Sequence, residues 1–275
     1  MSVHHLGHLQ LEDFRQRFSD RDLAILRALG EHRFLTGQQI VRLHFHDHAT
    51  LPAGARACSR VMERLQRLRT VTRLSRRVGG TRGGSSSQIW ALDINGHRLL
   101  SRGTDTQRRF LDPSTTFLDH TLAIAETRIR LTEVARAHER VLSNVEIEHA
   151  AWRQFTSSTG QPAWLKPDLA AVISDQEFND HWYIEVDLGT ESTRTVLSKC
   201  GIYELYRRTG KEQAAYGVFP RVLWLTTNET RADRLRATIA SSRSLHPRMF
   251  TVAPFAELEA IITNQTTDPG KEDPS

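Results

Sequence analysis

Two carboxylates, Glu185 and Asp187, lie two positions apart in an aromatic and aliphatic run from Trp182 to Leu188. Side chains alternate between the two faces of a β-strand, so this spacing directs both acids to the same face. A third carboxylate, Asp168, heads the apolar run 169–173 and can enter the same site from a neighbouring strand. Carboxylates that converge in this way repel one another unless a divalent cation lies between them or one stays protonated. The sequence therefore predicts an acidic site formed by Asp168, Glu185 and Asp187, which holds either a divalent cation or a protonated carboxyl group.

The basic residues of the chain are concentrated toward its front. The formal net charge of the 275 residues is +5 and the sequence pI is about 9.6. Between Pro52 and Gly84 there are nine arginines and a single acid, Glu63. Such an excess of positive charge predicts an anionic partner, although an arginine-rich surface also serves solubility or a protein partner.

Composition and cysteine usage are those of a soluble protein of a reducing compartment. With 39% hydrophobic and 25% charged residues, the chain is an ordinary globular one. No apolar run approaches the roughly 20 residues of a membrane helix, and the amino terminus lacks a signal-peptide pattern. Cys58 and Cys200 are far apart and match no metal-ligand spacing. We therefore expect a cytoplasmic protein without a membrane partner.

Three helices and a basic hairpin are predicted within residues 19–110. Ser19 and Thr36 are each followed three residues later by Asp or Gln, a pattern that predicts two capped helices, and Gly30 is predicted to end the first. A third helix and two strands are predicted at 52–69, 71–74 and 88–92. A glycine-rich tip joins the two strands. This order is typical of a winged helix-turn-helix domain.

The third predicted helix carries its apolar and basic residues on opposite sides. Its basic stripe and the basic residues of the hairpin tip are Arg56, Arg60, Arg64 and Arg67, and Arg76, Arg77 and Arg82. In a winged helix the third helix enters the major groove of DNA and the hairpin reaches the adjacent backbone. The sequence therefore predicts that the first domain binds duplex DNA through these arginines.

A second domain is predicted over residues 113–262, with a disordered tail at 263–275. A long helix at 116–138 is followed by an edge strand made of 145–148 and 152–155. Later strands and helices are predicted at 169–173, 182–188, 195–208, 221–227, 231–240 and 249–252. This order predicts an α+β or α/β fold with a mixed central sheet. The tryptophans and tyrosines are spaced as core residues rather than as a surface for stacking bases.

The strand order, with Pro167-Asp168 opening one strand and Glu185 in the next, resembles the core of the restriction-endonuclease-like superfamily, whose motif is written PD-(D/E)xK. Asp187 occupies the lysine position of that motif. The resemblance implies that Lys199, on the following helix, supplies the missing cation. It also implies that Glu126, on the preceding helix, matches the extra acid of some members.

The chain also resembles the replication-relaxation family of bacterial plasmids and integrative elements, over roughly residues 19–240. After the winged helix, the matching residues are Leu118 to His120, Pro167-Asp168, Glu185 to Ser192, Lys199 and Tyr203. The resemblance implies a DNA-binding protein of plasmid replication or transfer. Duplex DNA and other replication or transfer proteins are the implied partners, and a homodimer stays open.

The residues leave three functions open. The first is DNA binding in plasmid or mobile-element replication. The second is a Mg²⁺-dependent DNA endonuclease in which Asp168 and Glu185 hold the ion, Asp187 or Glu126 completes the shell, and Lys199 stabilises charge on the phosphate. The third is a transcriptional regulator that binds a short operator as a dimer. If the acidic site is silent, Asp168 caps a turn, and Glu185 and Asp187 pair with neighbouring cations, namely Arg194, Lys199 or Arg207.

Overall fold

The computed structural model describes residues 15–78, 87–100, 113–157, 159–246 and 248–263, without the side chains of 75–78 and 87. The chain divides into two compact units, Met1–Ile129 and Arg130–Ser275. Helices and strands are mixed, and the largest sheet has five strands of mixed direction, which confirms the predicted class at that level. Within the ranges described, no helix has the length and apolar character needed to cross a membrane.

The first unit begins with three helices, α1 (Asp20–His32), α2 (Gly37–His44) and α3 (Leu51–Arg67). Both predicted capping boxes are confirmed. The Asp22 N–H donates to Ser19 Oγ at 3.2 Å, and the Ser19 N–H donates back to Asp22 Oδ2 at 2.9 Å. Thr36 and Gln39 repeat this exchange at the start of α2. Each box satisfies backbone donors that a helix start otherwise leaves free.

A small antiparallel sheet follows, made of β1 (Leu35–Thr36), β2 (Val71–Val78) and β3 (Ser87–Leu92) in the order β1-β3-β2. Both predicted strands are thus confirmed as β2 and β3, whereas the short strand β1 was not predicted. The tip between β2 and β3 lies outside the described residues.

A further helix, α4 (Ile94–Leu100), was not predicted, because an Asn-Gly pair is typical of a turn. Gly96 instead permits close packing, since a Cβ at this position would lie 2.1 Å from the Thr70 carbonyl oxygen. At Gly30, which lies inside α1, a Cβ would be 2.6 Å from Leu100 Cδ1, the movable end of a side chain, so the constraint there is weaker. The prediction that Gly30 ends α1 is therefore wrong, and the helix continues to His32.

The core of the first unit is built from the inward faces of α1, α2, α3 and the small sheet. Its fully buried members include Ile25, Leu26, Leu29, Ile40, Met62, Leu65 and Val71. The long helix α5 (Thr115–Ala137) contributes as well, because Leu118 and Leu122 pack with Phe34 and Ile89. The sequence predicts a domain boundary near Pro113, whereas the division between the compact units falls inside α5.

Two histidines of the first unit are held in their neutral form. Burial, with a smaller contribution from Arg128, lowers the pKa of His32 to about 3. Burial also lowers the pKa of His44 to about 4. Arg128 Nη1 lies 3.1 Å from His32 Nε2, so the guanidinium donates to an unprotonated ring nitrogen.

We therefore expect His32 and His44 to make the fold less stable as the pH falls below 6.5, the ordinary histidine value. The folded pKa values lie below that of an unfolded histidine, so in this window the unfolded chain binds protons that the folded chain excludes. For His32 alone the loss is roughly 2 kcal/mol on lowering the pH from 6.5 to about 5. Urea unfolding at several pH values measures it. His32→Gln, which keeps an acceptor for Arg128, should flatten the dependence, and an unchanged slope in this variant would contradict the assignment.

The second unit contains the mixed sheet, in the order β10-β9-β8-β7-β4. Its strands are β4 (Val141–Ile147), β7 (Leu169–Ser174), β8 (Asn179–Asp187), β9 (Arg221–Thr226) and β10 (Phe250–Pro254). The β8, β9 and β10 strands are parallel to one another, and β7 is antiparallel to both β8 and β4.

Helices α6 (Thr193–Arg207) and α8 (Glu229–Ala240) join these strands, as predicted to within two residues at their starts. Two shorter helices, α7 (Lys211–Tyr216) and α9 (Leu258–Ile262), were not predicted, since each is less than two turns long. Tyr203 of α6 and Trp224 of β9 are among the largest fully buried side chains.

The predicted edge strand 145–148 plus 152–155 is divided into two structures. A 3-10 turn at Glu148–Ala150 ends β4, and Glu148 has a positive φ of 48°. The chain then forms a separate antiparallel hairpin from β5 (Arg153–Thr156) and β6 (Pro162–Leu165). Beyond Thr263 the predicted tail lies outside the described residues.

Candidate functional site

The acidic residues of β8 face the helices of the second unit. Glu185 and Asp187 are both buried, and they contact side chains of α6 and α8 respectively. The alternation of the strand thus directs both acids to one face, as predicted. Asp168, one residue before β7, accepts a hydrogen bond at Oδ2 from the Val186 N–H at 2.8 Å. The pairing of β7 with β8 therefore brings Asp168 beside Glu185.

Glu185 has a distinct partner at each carboxylate oxygen. The Tyr203 hydroxyl donates to Oε1 at 2.8 Å, and Lys199 Nζ lies 3.5 Å from Oε2. Oε2 is buried and has no hydrogen-bond partner among the described residues. Lys199 Nζ also lies 3.0 Å from Glu191 Oε1. The structure thus places Lys199 at the acidic site, as the resemblance to the restriction-endonuclease-like core implies.

The electrostatics of this cluster favour bound positive charge. Burial, reinforced by the neighbouring charge of Asp168, raises the pKa of Glu185 to about 8, while Lys199 and Tyr203 act in the opposite direction. Burial tends to lower the pKa of Lys199, but Glu185 and Asp168 outweigh it and hold that pKa above its ordinary value. Because burial alone would lower the pKa of Lys199, its raised value indicates a negative local potential from the neighbouring carboxylates. Perturbed groups of this kind are typical of functional sites, although structural networks produce them too.

Asp187 is engaged in a different interaction from the one that the sequence predicts. Its Oδ2 accepts from Arg231 Nε at 2.6 Å, and its Oδ1 accepts from the Gly189 N–H at 2.9 Å. Arg231 Nη2 also donates to the Glu191 carbonyl oxygen at 2.7 Å. Arg231 was missed in the sequence because it follows Asp187 by 44 positions and belongs to α8.

Because of these contacts, only two of the three carboxylates that were predicted to hold a cation remain available to one. Both oxygens of Asp187 are occupied, and no group of three or more His, Cys, Asp or Glu side chains in the described part of the chain could hold a metal ion. Asp168 and Glu185 remain, and the buried Glu185 Oε2 lacks a hydrogen-bond donor. Mg²⁺ commonly binds to one or two carboxylates and completes its shell with water and phosphate oxygens. The residues present fit that mode of binding.

Glu126, the predicted extra acid, belongs to the first unit. Arg42 Nη1 of α2 donates to both of its carboxylate oxygens, at 2.7 and 2.9 Å. This ion pair ties Glu126 of α5 to α2 within the first unit.

The predicted DNA-contacting arginines of α3 fall into two groups. Arg56, Arg60 and Arg67 are exposed, and none of them has an ion pair with another described residue. Arg64 instead donates to the buried carboxylate of Asp22 at 2.6 Å. Although burial opposes it, this bond helps to lower the pKa of Asp22. Arg64 is therefore part of the packing between α1 and α3.

The predicted basic residues of the hairpin are Arg76, Arg77 and Arg82. Arg76 and Arg77 belong to β2, but their side chains lie outside the described residues, as does the whole of Arg82.

Comparison with known proteins gives one family. A family model described as replication-relaxation matches residues 26–222, which is well over half of the chain. No curated protein and no solved structure matches the chain significantly.

Proposed function

The chain belongs to the replication-relaxation family, and from this we propose that it is a DNA-binding protein of plasmid or mobile-element replication. The first unit docks on duplex DNA as a winged helix: α1, α2 and α3 form the helical part, and β2 and β3 form the wing. The second unit has a restriction-endonuclease-like core around the acidic site.

The exposed arginines of α3 carry this proposal. Cys58, Met62 and Leu65 attach one side of the helix to the core. Arg56 and Arg60 project from the other side without an ion pair to any described residue, so their charge is available to phosphate groups. Since α3 also follows two capped helices and precedes an antiparallel hairpin, its position matches that of a recognition helix.

Replacing Arg56 and Arg60 together by alanine is expected to weaken binding to duplex DNA by about tenfold or more. The plot of log Kobs against log salt concentration should become shallower by about one unit for each phosphate that the variant no longer binds. Fluorescence anisotropy of a labelled duplex at several salt concentrations measures both quantities.

Two matched variants control this experiment. Arg234→Ala with Arg243→Ala removes the same charge from exposed positions of the second unit and should leave the salt slope unchanged. Arg64→Ala should act mainly on stability, because it removes the partner of the buried Asp22 carboxylate. An unchanged slope in the Arg56/Arg60 variant would contradict the docking proposal.

A second function, Mg²⁺-dependent DNA endonuclease activity, is favoured by the position of Lys199. In the PD-(D/E)xK motif the lysine lies inside the strand. Here Lys199 extends from α6, and its Nζ lies 3.5 Å from Glu185 Oε2. Asp168 and Glu185 would hold the ion, and Lys199 would stabilise negative charge that develops on the scissile phosphate. Bound Mg²⁺ would supply Lewis-acid stabilisation and an acidified water. Tyr203 acts as a positioning residue, since its hydroxyl orients the Glu185 carboxylate.

A further inference from the structure

Two tryptophans of the second unit are not core residues, which corrects the expectation from their spacing. Trp90, Trp182 and Trp224 are buried, as predicted. In contrast, Trp164 of β6 is 45% exposed, and Trp152 just before β5 is half-buried. Large exposed aromatic residues that lie together are typical of binding surfaces.

These tryptophans form a continuous aromatic and basic surface with His149 and Lys166, which we call the stacking platform. The ring centroids of His149 and Trp152 are 4.1 Å apart with an interplanar angle of 35°, and those of Trp152 and Trp164 are 6.5 Å apart at 69°. Lys166 Nζ lies 4.5 Å from the Trp152 ring centroid. Lys166 is exposed and forms no ion pair with any residue that the structure describes, so its charge can reach a ligand.

The platform is joined directly to the acidic site. Only Pro167 separates Lys166 from Asp168 in the chain. On the other side, the Glu148 N–H, one residue before His149, donates to the Asp168 carbonyl oxygen at 2.9 Å. A polymer that lies on the platform would therefore pass close to Asp168.

We propose that the stacking platform binds the bases of an unpaired DNA strand and delivers that strand to the acidic site. Aromatic rings accept any base through its π-face, and a neighbouring cation contributes attraction to the phosphates. A protein segment is the less favoured occupant, because an exposed lysine next to a carboxylate pair that suits Mg²⁺ and phosphate matches the phosphate backbone of a nucleic acid. This inference rests on the proposed function in taking DNA as the ligand and the acidic site as the place to which the strand is delivered.

The test uses the full chain and two labelled oligomers of equal length and charge, oligo-dT and an abasic oligomer that lacks bases. Fluorescence anisotropy should show tighter binding of oligo-dT. Trp164→Ala should weaken oligo-dT binding by roughly tenfold, with little effect on the abasic oligomer. Trp164→Tyr, which keeps a ring, should restore part of the affinity. Phe178→Ala is the matched control, because Phe178 is 67% exposed elsewhere in the same unit.

The outcomes separate this inference from the docking proposal. Equal binding of the two oligomers, or full oligo-dT affinity in Trp164→Ala with an unchanged urea midpoint, would overturn the stacking platform. A change of mass in sedimentation on Trp164→Ala would also overturn it, by showing that a second copy covers the ring. Duplex binding should be weakened about tenfold or more in the Arg56/Arg60 variant and should be unchanged in Trp164→Ala. If the parent binds oligo-dT but no duplex, the docking proposal fails and the platform stands.

Discussion

Replacing Arg231 by alanine is expected to lower the free energy of unfolding by roughly 3–5 kcal/mol, because it leaves the Asp187 carboxylate buried without its cation. The Asp187 side chain is 0% exposed and that of Arg231 is 11% exposed, so the carboxylate is held away from bulk water. The guanidinium also ties α8 to the Glu191 carbonyl oxygen. A loss of this size is a large part of the stability of an ordinary domain.

Urea unfolding, followed by circular dichroism and by the fluorescence of the buried tryptophans, measures this loss. Arg234→Ala, an exposed substitution on the same helix, should change the free energy of unfolding by no more than about 0.5 kcal/mol. The double variant Asp187→Leu with Arg231→Leu should recover part of the stability, since no unpaired charge is then buried. If Arg231→Ala costs no more than Arg234→Ala, the ion pair has no structural role and Asp187 becomes available as a cation ligand again.

The second large effect is expected on DNA cleavage. Incubated with Mg²⁺, the protein should convert supercoiled plasmid to open-circle or linear forms, and Asp168→Ala and Glu185→Gln should each slow that conversion by roughly 100-fold or more. Each substitution removes one of the two carboxylates that remain able to hold the ion. Lys199→Ala should also slow conversion, because no other described cation lies within 4 Å of Glu185. Gel electrophoresis of timed samples gives the rates.

The variants leave the exposed arginines of α3 intact, so their affinity for duplex DNA should equal that of the parent. Asp233→Asn, an exposed acid on α8, serves as the control for loss of negative charge. Conversion at equal rates in parent and variants would point to a contaminating nuclease. If the parent converts no plasmid but still retains duplex DNA, the endonuclease function is excluded and a binding protein with a silent acidic site remains.

Several features of the protein could be predicted because they depend on residues that are close in sequence. The capping boxes at Ser19 and Thr36 join positions three apart, and the common face of Glu185 and Asp187 follows from the period of a strand. The stripe of exposed arginines on α3 follows in the same way from the period of a helix. The position of Lys199 came from the family resemblance, and α6 places it as that resemblance implies.

Other features could be decided only by tertiary structure, because they join residues that are far apart in sequence. Arg64 and Asp22 are separated by 42 positions, Arg231 and Asp187 by 44, and Arg42 and Glu126 by 84. Several arginines on one helix look alike in the sequence, so local patterns do not tell which of them pairs with a buried carboxylate and which is exposed to solvent. Local sequence was also insufficient to predict the packing role of Gly96 and the solvent exposure of Trp164. A glycine that permits helix packing is locally identical to a turn glycine, and an aromatic residue on a two-stranded hairpin has the same pattern as one in a covered sheet. Local periodicity thus determined which side chains share a face, and packing between distant segments determined which of them remain available to a ligand.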